Sequence, residues 1–294
     1  VLDINEQPRL IGSQVYRVSE LEPERHESPD WIFSETYRYL LTGALLLAGR
    51  GSFQVQLVTG LPLEYYRRQR EVFKSEVLLN THTGKIIEED RQGQSVTVTE
   101  AGVIPQGLGV FFSRALKSNG ELAGDEWSEG RYAVIDGGGG TFNLATVDQL
   151  EMIENAGENR SLEVGGNKII AHIRRQLLEQ HPNRRKSVRA GVIERAVQNR
   201  SRLGDKGFEG DLKRAIDQAL DLHYQPVITA ARSMWRDGSD LDGMVLGGGS
   251  CIMFAERLME DFGDKAMLAT DDLDDLVYAN ALGYHRLGRM QFGG

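Results

Sequence analysis

The stretch Asp136-Gly137-Gly138-Gly139-Gly140-Thr141-Phe142-Asn143 follows the apolar run Tyr132-Ala133-Val134-Ile135 and leads into a second, Leu144-Ala145-Thr146-Val147. A strand, a glycine turn and a returning strand predict a hairpin whose backbone N–H groups can wrap a phosphate. Consecutive glycines admit positive φ and let the backbone approach a ligand with no Cβ in the way. Asp136 closes a buried strand, a costly place for a carboxylate unless it meets a cation or strong donors; Mg2+ held through water beside phosphates is the natural partner. Thr141 adds a hydroxyl to the same shell. A plain glycine-rich hairpin is the competing reading, since glycine clusters are common turn punctuation.

A second glycine turn lies downstream. Gly243-Met244-Val245-Leu246 reads as a short buried strand, then Gly247-Gly248-Gly249-Ser250, then a helical pattern of Ile252, Phe254, Ala255, Leu258 and Met259. A strand passing through a glycine turn into a helix N-terminus suits a nucleoside or phosphate, because N–H groups and the helix dipole face the loop. Ser250 is placed to act as an N-cap.

With both turns in view, the chain resembles the actin, hexokinase and seventy-kilodalton chaperone superfamily, most nearly its bacterial and archaeal actin-like members of the ParM type. The Asp136 to Asn143 run looks like that superfamily's second phosphate loop, and Met244 to Ser250 like its adenosine loop. Leu57-Val58-Thr59-Gly60-Leu61-Pro62-Leu63-Glu64-Tyr65-Tyr66 resembles a strand-to-helix turn of the ParM-like branch, and Tyr278-Ala279-Asn280-Ala281-Leu282-Gly283-Tyr284 its last helix. The likeness runs from about Leu57 to the C-terminus.

The resemblance implies ATP and Mg2+ as cofactors. Nucleotide contacts are then expected from Gly138, Gly139, Gly140, Thr141, Phe142 and Asn143, and from Gly247, Gly248, Gly249 and Ser250, with Asp136 holding the metal through water. Where chaperone-like patterns end the loop in a second Asp, this chain has Asn143, so metal charge rests more heavily on Asp136. In Ile104-Pro105-Gln106-Gly107-Leu108-Gly109-Val110 the resemblance assigns Gln106 to orient the attacking water. An amide cannot remove a proton at neutral pH, so that role is positioning; a Gln capping a helix end is the alternative. Gly165 and Gly166 precede an amphipathic helix and, by resemblance, lie near sugar and phosphates, or else simply punctuate the chain. Lys206 is assigned to adenine or ribose on the same basis.

A further implied element has no match. The superfamily's first phosphate loop is an N-terminal hairpin built on an Asp, a Gly and a later Lys or Gln, and nothing ahead of Leu57 supplies it. Leu2-Asp3-Ile4-Asn5 has the acid but no glycine turn; residues 9–15 read as the strand that comes after that loop; and the first residue is Val1. A missing upstream piece is the expectation, with natural loss of the loop as the alternative.

Composition agrees with a cytoplasmic protein. The 294 residues allow about two domains. A single cysteine excludes a disulfide framework, and Cys251 itself reads as a small buried residue. The most apolar segment, residues 39–48, is too short to span a bilayer. A net charge of −9 argues against broad direct DNA binding. Arg184, Arg185, Lys186, Arg189, Arg195, Arg200 and Arg202 form a local basic run that reads either as a solvated face or as a contact with an acidic surface, a neighbouring subunit or DNA.

Periodicity predicts helices over residues 35–48, 63–74, 166–179, 188–197, 212–235, 252–261 and 273–287. Strands are predicted over 54–58, 76–80, 85–88, 95–99, 131–135, 142–146 and 243–246. The expected fold class is α/β: two ribonuclease-H-like, actin-like domains with mixed sheets flanked by helices, residues 1–130 and 131–294, the last helix free to return to the first domain. Nucleotide is expected in the interdomain cleft.

The function implied is a nucleotide-dependent, filament-forming, actin-like ATPase, serving plasmid or DNA segregation or intracellular positioning, with its own copies and a DNA-binding adaptor as partners. Two rivals share the fold: a small-molecule kinase, for which no substrate base is evident, and a non-hydrolysing scaffold.

Overall fold

The computed structural model describes residues 1–4, 7–9, 30–87, 91–155, 157–184, 188, 190–198 and 209–293. They form two compact units, Val1–Ile104 and Pro105–Gly294. Lys206 and most of the basic run lie outside the described residues, as do the side chains of Arg184 and Arg195.

The first unit holds β1 (Leu2–Ile4), β2 (Gln7–Arg9), α1 (Glu35–Leu47), β3 (Ser52–Leu61), α2 (Leu63–Phe73), β4 (Thr81–Ile86) and most of β5 (Arg91–Pro105). Their sheet runs β2-β1-β4-β5-β3. The β1/β2, β1/β4 and β4/β5 pairs are antiparallel. Beside them β3 and β5 advance together, Ser95 Oγ to Ser52 Oγ at 2.9 Å and Thr99 Oγ1 to Val55 O at 3.3 Å, so the sheet is mixed. Ser34 starts α1 as an N-cap, its hydroxyl accepting the Tyr37 N–H at 3.1 Å. The helix buries Leu45 and Leu46 against Leu2, Ile86 and Val96.

Residues 76–80, expected as a strand, instead continue α2 as a π-helical turn, Lys74–Leu78. Phe73, Val77 and Leu78 are all buried. A widened turn brings these three apolar side chains to one face, and that burial outweighs the strand preference of a short Val-Leu-Leu run. Strands β3, β4 and β5 are longer than expected, and β4 begins nearer the N-terminus.

The second unit holds α3 (Leu108–Ala115), α4 (Glu126–Glu129), β6 (Arg131–Gly137), β7 (Phe142–Asp148), β8 (Glu151–Met152), β9 (Asn159–Leu162), α5 (Gly166–Gln180), α6 (Ala190–Gln198), α7 (Glu209–Trp235), β10 (Gly243–Gly247), α8 (Ala255–Phe262), β11 (Ala266–Leu268) and α9 (Ala279–Phe292). Residues 105–130, grouped with the first domain on sequence, pack here: α3 lies on β6, β10 and α9. The sheet order is β11-β10-β6-β7-β8, with β9 also on β7. The β6–β10 and β10–β11 pairs are parallel and the pairs of β7 antiparallel, a second mixed sheet.

Strand alternation decides which face carries chemistry. Ala133, Ile135 and Leu144 enter a core with Ile169, Ile173, Ala219 and Val227 of α5 and α7. Tyr132 turns to the other face, stacked on Trp127 at 4.5 Å and set 5.6 Å from Phe111 of α3. Asp136, four residues on, shares the Tyr132 face, towards α3 and α9.

The α3/α9 crossing is very close because both helices present glycine. A Cβ on Gly283 would overlap the Gly109 carbonyl oxygen, and one on Gly109 would sit 2.6 Å from the Asn280 carbonyl oxygen. The backbones touch, which fixes the first turn of α9 over the start of α3.

Candidate nucleotide site

Strand β6 ends between two partners. In register, Asp136 stands opposite Gly247 of β10 on one side and Asn143 of β7 on the other. The two glycine turns found in the sequence are therefore adjacent at one end of the sheet. Asp136 is 1% exposed. Burial pushes its carboxyl up to about 6, opposed by a hydrogen bond that Asn280 Nδ2 donates to its Oδ2 at 3.0 Å. Gly248 packs directly behind it at φ +85°; a Cβ there would lie 2.5 Å from both Asp136 Oδ1 and the Gly137 carbonyl oxygen, so only glycine fits.

The loop from Gly137 to Thr141 is held by its carbonyls. Ser250 donates its N–H to Gly137 O at 2.8 Å and its hydroxyl to Gly138 O at 2.7 Å. The N–H groups of Gly166, Asn167 and Gly165 donate to Gly138 O, Gly139 O and Gly140 O at 3.2, 2.8 and 3.0 Å. Within the loop, Gly138 N–H bonds Thr141 O at 2.8 Å. With the carbonyls drawn inward, the N–H groups of Gly139, Gly140 and Thr141 have no protein acceptor among the described residues, and Gly139 and Gly140 are exposed. Such an array of outward donors is what an anion requires.

These contacts give several expected site residues a defined part. Gly165 and Gly166 use their N–H groups to hold the loop. Ser250, expected as an N-cap, makes no cap hydrogen bond; the turn after it is a 3-10 helix, Cys251–Met253, and its hydroxyl clasps the first glycine turn at Gly138 O. The Phe142 ring is buried against Phe254, with centroids 5.5 Å apart, so its side chain serves the core. Asn143 is 3% exposed; its Oδ1 accepts from Ser161 Oγ at 2.9 Å, while its Nδ2 is buried with no partner. Cys251 is fully buried and its thiol pushed up, first by burial and then by Asp136, which leaves it protonated and inert.

Gln106 lies half-buried in the turn between β5 and α3, and its side chain has no protein partner among the described residues. It caps nothing: the N-cap position belongs to Gly107, at φ +99°. A Cβ on Gly107 would stand 3.8 Å from Asp136 Cβ, so the Gln106 turn adjoins the carboxylate. Asn280 was not singled out on sequence. The usable signal was chemical: a buried carboxylate needs a donor, and Asn280 is a polar residue inside an apolar helix start.

The residues fit a magnesium nucleotide on three observations: unsatisfied loop N–H donors, the orphaned buried Asn143 Nδ2, and a buried carboxylate between the turns. No cluster of three or more His, Cys, Asp or Glu that could hold a metal ion occurs among the described residues. A cavity of about 480 Å3 lined by Ala171, Arg174, Arg175, Leu178 and Glu179 lies further along α5 and includes none of the glycine-turn residues; the donor geometry, not cavity size, marks the site.

Residues 1–109 match the family model described as actin-like proteins N-terminal domain. No curated protein sequence matches the chain. Among solved structures, actin-like protein Alp7A superposes with a TM-score of 0.69 at 16% identity, covering 99% of this chain and 82% of that one. A fifteen-stranded ParM filament from Clostridium botulinum gives a TM-score of 0.67 at 21% identity, covering 90% and 75%. An archaeal actin homologue complexed with ADP gives 0.67 at 19% identity, covering 86% and 78%. The chain therefore has the actin-like α/β fold of two mixed-sheet units flanked by helices, and its N-terminal residues match the actin-like N-terminal domain.

Proposed function

We propose that this chain is an ATP-binding, ATP-hydrolysing protein that assembles with its own copies into filaments, serving plasmid or DNA segregation or intracellular positioning through a DNA-binding adaptor in the cytoplasm. The single observation that carries the nucleotide step is the loop of outward N–H donors at Gly139, Gly140 and Thr141, anchored beside the buried carboxylate of Asp136. Filament-forming relatives of the same fold support the assembly step. No helix among the described residues is long and apolar enough to cross a membrane.

When bound, ATP with Mg2+ would supply the phosphoanhydride and the charge-neutralising cation. The chain's own residues then divide the work. Gly139, Gly140 and Thr141 donate N–H groups to phosphate oxygens, and the Thr141 hydroxyl adds another contact. Asn143 Nδ2 is a spare buried donor beside them. Asp136 accepts hydrogen bonds from water around the cation. Gln106 orients water through its amide, and Gly247 to Ser250 face the nucleoside. Donors held in place by a loop whose carbonyls are already bonded need no reorganisation as charge develops, which is where such sites gain their rate.

Light scattering and negative-stain imaging with ATP, with ADP and with an Asp136→Ala variant test the reading. ATP-dependent filaments of wild type, absent in the variant, are expected. A wild type that assembles under neither nucleotide overturns the filament reading. Assembly with no measurable nucleotide affinity would make the protein a scaffold, and a small-molecule phosphoryl acceptor in a coupled screen would make it a kinase.

A further inference from the structure

Asn280 is the second residue of α9, and its amide is used at both ends. Nδ2 donates to Asp136 Oδ2 at 3.0 Å, and Oδ1 accepts the Gly107 N–H at 3.3 Å. The chemistry of the partners fixes this orientation: a carboxylate needs a donor and an N–H needs an acceptor. An Asp of the same size keeps the acceptor but loses the donor, and an aliphatic residue loses both.

The two ends reach different parts of the candidate site. Asp136 is the penultimate residue of β6, beside the glycine loop. Gly107 directly follows Gln106 and is the N-cap of α3 at φ +99°, so the bond to its N–H holds the turn that carries Gln106. Asn280 is itself held. The glycine crossing of α3 and α9 brings its carbonyl oxygen to 2.6 Å from a Cβ on Gly109, and Ala279 Cβ stands 3.1 Å from one on Gly247. Neither helix can slide past the other without parting backbones in contact.

We infer that Asn280 is a positioning residue for hydrolysis, fixing the Gln106 turn relative to the Asp136 carboxylate. It rests on the nucleotide reading above. It touches neither nucleotide nor water and acts through the two residues that do. Displacing a water-orienting group by about 1 Å costs on the order of 100-fold in rate. Because the displaced group acts on the chemical step, the loss falls on kcat and leaves KM nearly unchanged.

The test is steady-state ATP hydrolysis with Mg2+ by the full chain, for wild type, Asn280→Ala, Asn280→Asp, Gln106→Ala and the Gln106→Ala/Asn280→Ala double variant, with urea unfolding of each. Asn280→Ala is expected to lower kcat by about 10- to 100-fold with KM for ATP within about threefold, and to add little in the Gln106→Ala background, because residues acting through one another are not additive. Asn280→Asp keeps side-chain size and the Gly107 acceptor, so a folded protein with reduced kcat is expected even if the Ala variant unfolds. A wild type that binds and hydrolyses no nucleotide overturns the function proposed above and this inference with it. A hydrolysing wild type whose Asn280 variants keep kcat within about twofold, raise only KM, or lose rate equally with and without Gln106, overturns this inference alone.

Discussion

The Ser250 hydroxyl donates to the Gly138 carbonyl oxygen at 2.7 Å, joining glycine turns that are 112 residues apart in sequence. With the Ser250 N–H on Gly137 O, the second turn holds the first in shape. A Ser250→Ala variant leaves the half-buried Gly138 carbonyl with one donor fewer. The expected cost is about 1 kcal/mol in urea unfolding, together with weaker binding of a fluorescent ATP analogue as the loop loosens. Unchanged affinity would show that the helix N-terminus at Gly166 holds the loop unaided.

Asp136→Asn is expected to stabilise the protein while abolishing hydrolysis. Burial places the folded carboxyl at about 6, above the usual 3.8. An acid with a raised folded pKa favours folding most below its unfolded value, and that advantage is lost as pH rises through the folded one. The gap corresponds to about 3 kcal/mol. In metal-free buffer the Asn variant should therefore exceed wild type by about that amount at pH 7.5, and match it at pH 3.5. Urea unfolding at the two pH values checks this; an equal difference at both contradicts it.

The first unit carries the opposite pH dependence. His82 is 9% exposed, bonded through Nδ1 to Thr42 Oγ1 at 3.1 Å, and burial holds its ring below the usual 6.5. A base with a depressed folded pKa keeps full stability above 6.5 and loses it as pH falls below that value. Amide exchange in β4 and β5 should accelerate on lowering the pH from 7 to 5.5, and a His82→Asn variant should flatten that dependence.

Glycines divide into two kinds that a pair of variants separates. Gly283→Ala drives a Cβ into the Gly109 carbonyl at the helix crossing, and is expected to cost about 3 kcal/mol or more. Gly140→Ala meets nothing within 4 Å and should leave stability within about 0.5 kcal/mol. A loss of nucleotide affinity in Gly140→Ala then reports ligand approach rather than folding.

Much of the backbone geometry of the candidate site was legible because its signals are local. A buried strand ending in Asp136 before consecutive glycines, and a second strand ending in Gly247-Gly248-Gly249-Ser250, are short-range patterns whose backbone consequences follow from the residues themselves. The long helices were legible for the same reason, their apolar spacing running through many turns. The π-turn at Lys74–Leu78 was not, since Val77, Leu78 and Leu79 suit a strand as well as a helix, and only burial beside Phe73 decides between them. The grouping of residues 105–130 was hidden too, because it depends on where α3 packs.

The sequence by itself determined an α/β chain with two glycine turns, a carboxylate at the end of a buried strand and a composition without disulfides or a long apolar helix. Tertiary structure alone decided that β6 lies between β7 and β10, which sets the two turns side by side. It also decided that Asp136 meets Asn280, that Ser250 clasps Gly138, and that Gly165 and Gly166 spend their N–H groups on the loop. The physical reason is range. Turn geometry and amphipathic faces come from neighbours within a few residues, whereas the partner of a buried polar atom is whichever group the packing of distant elements delivers.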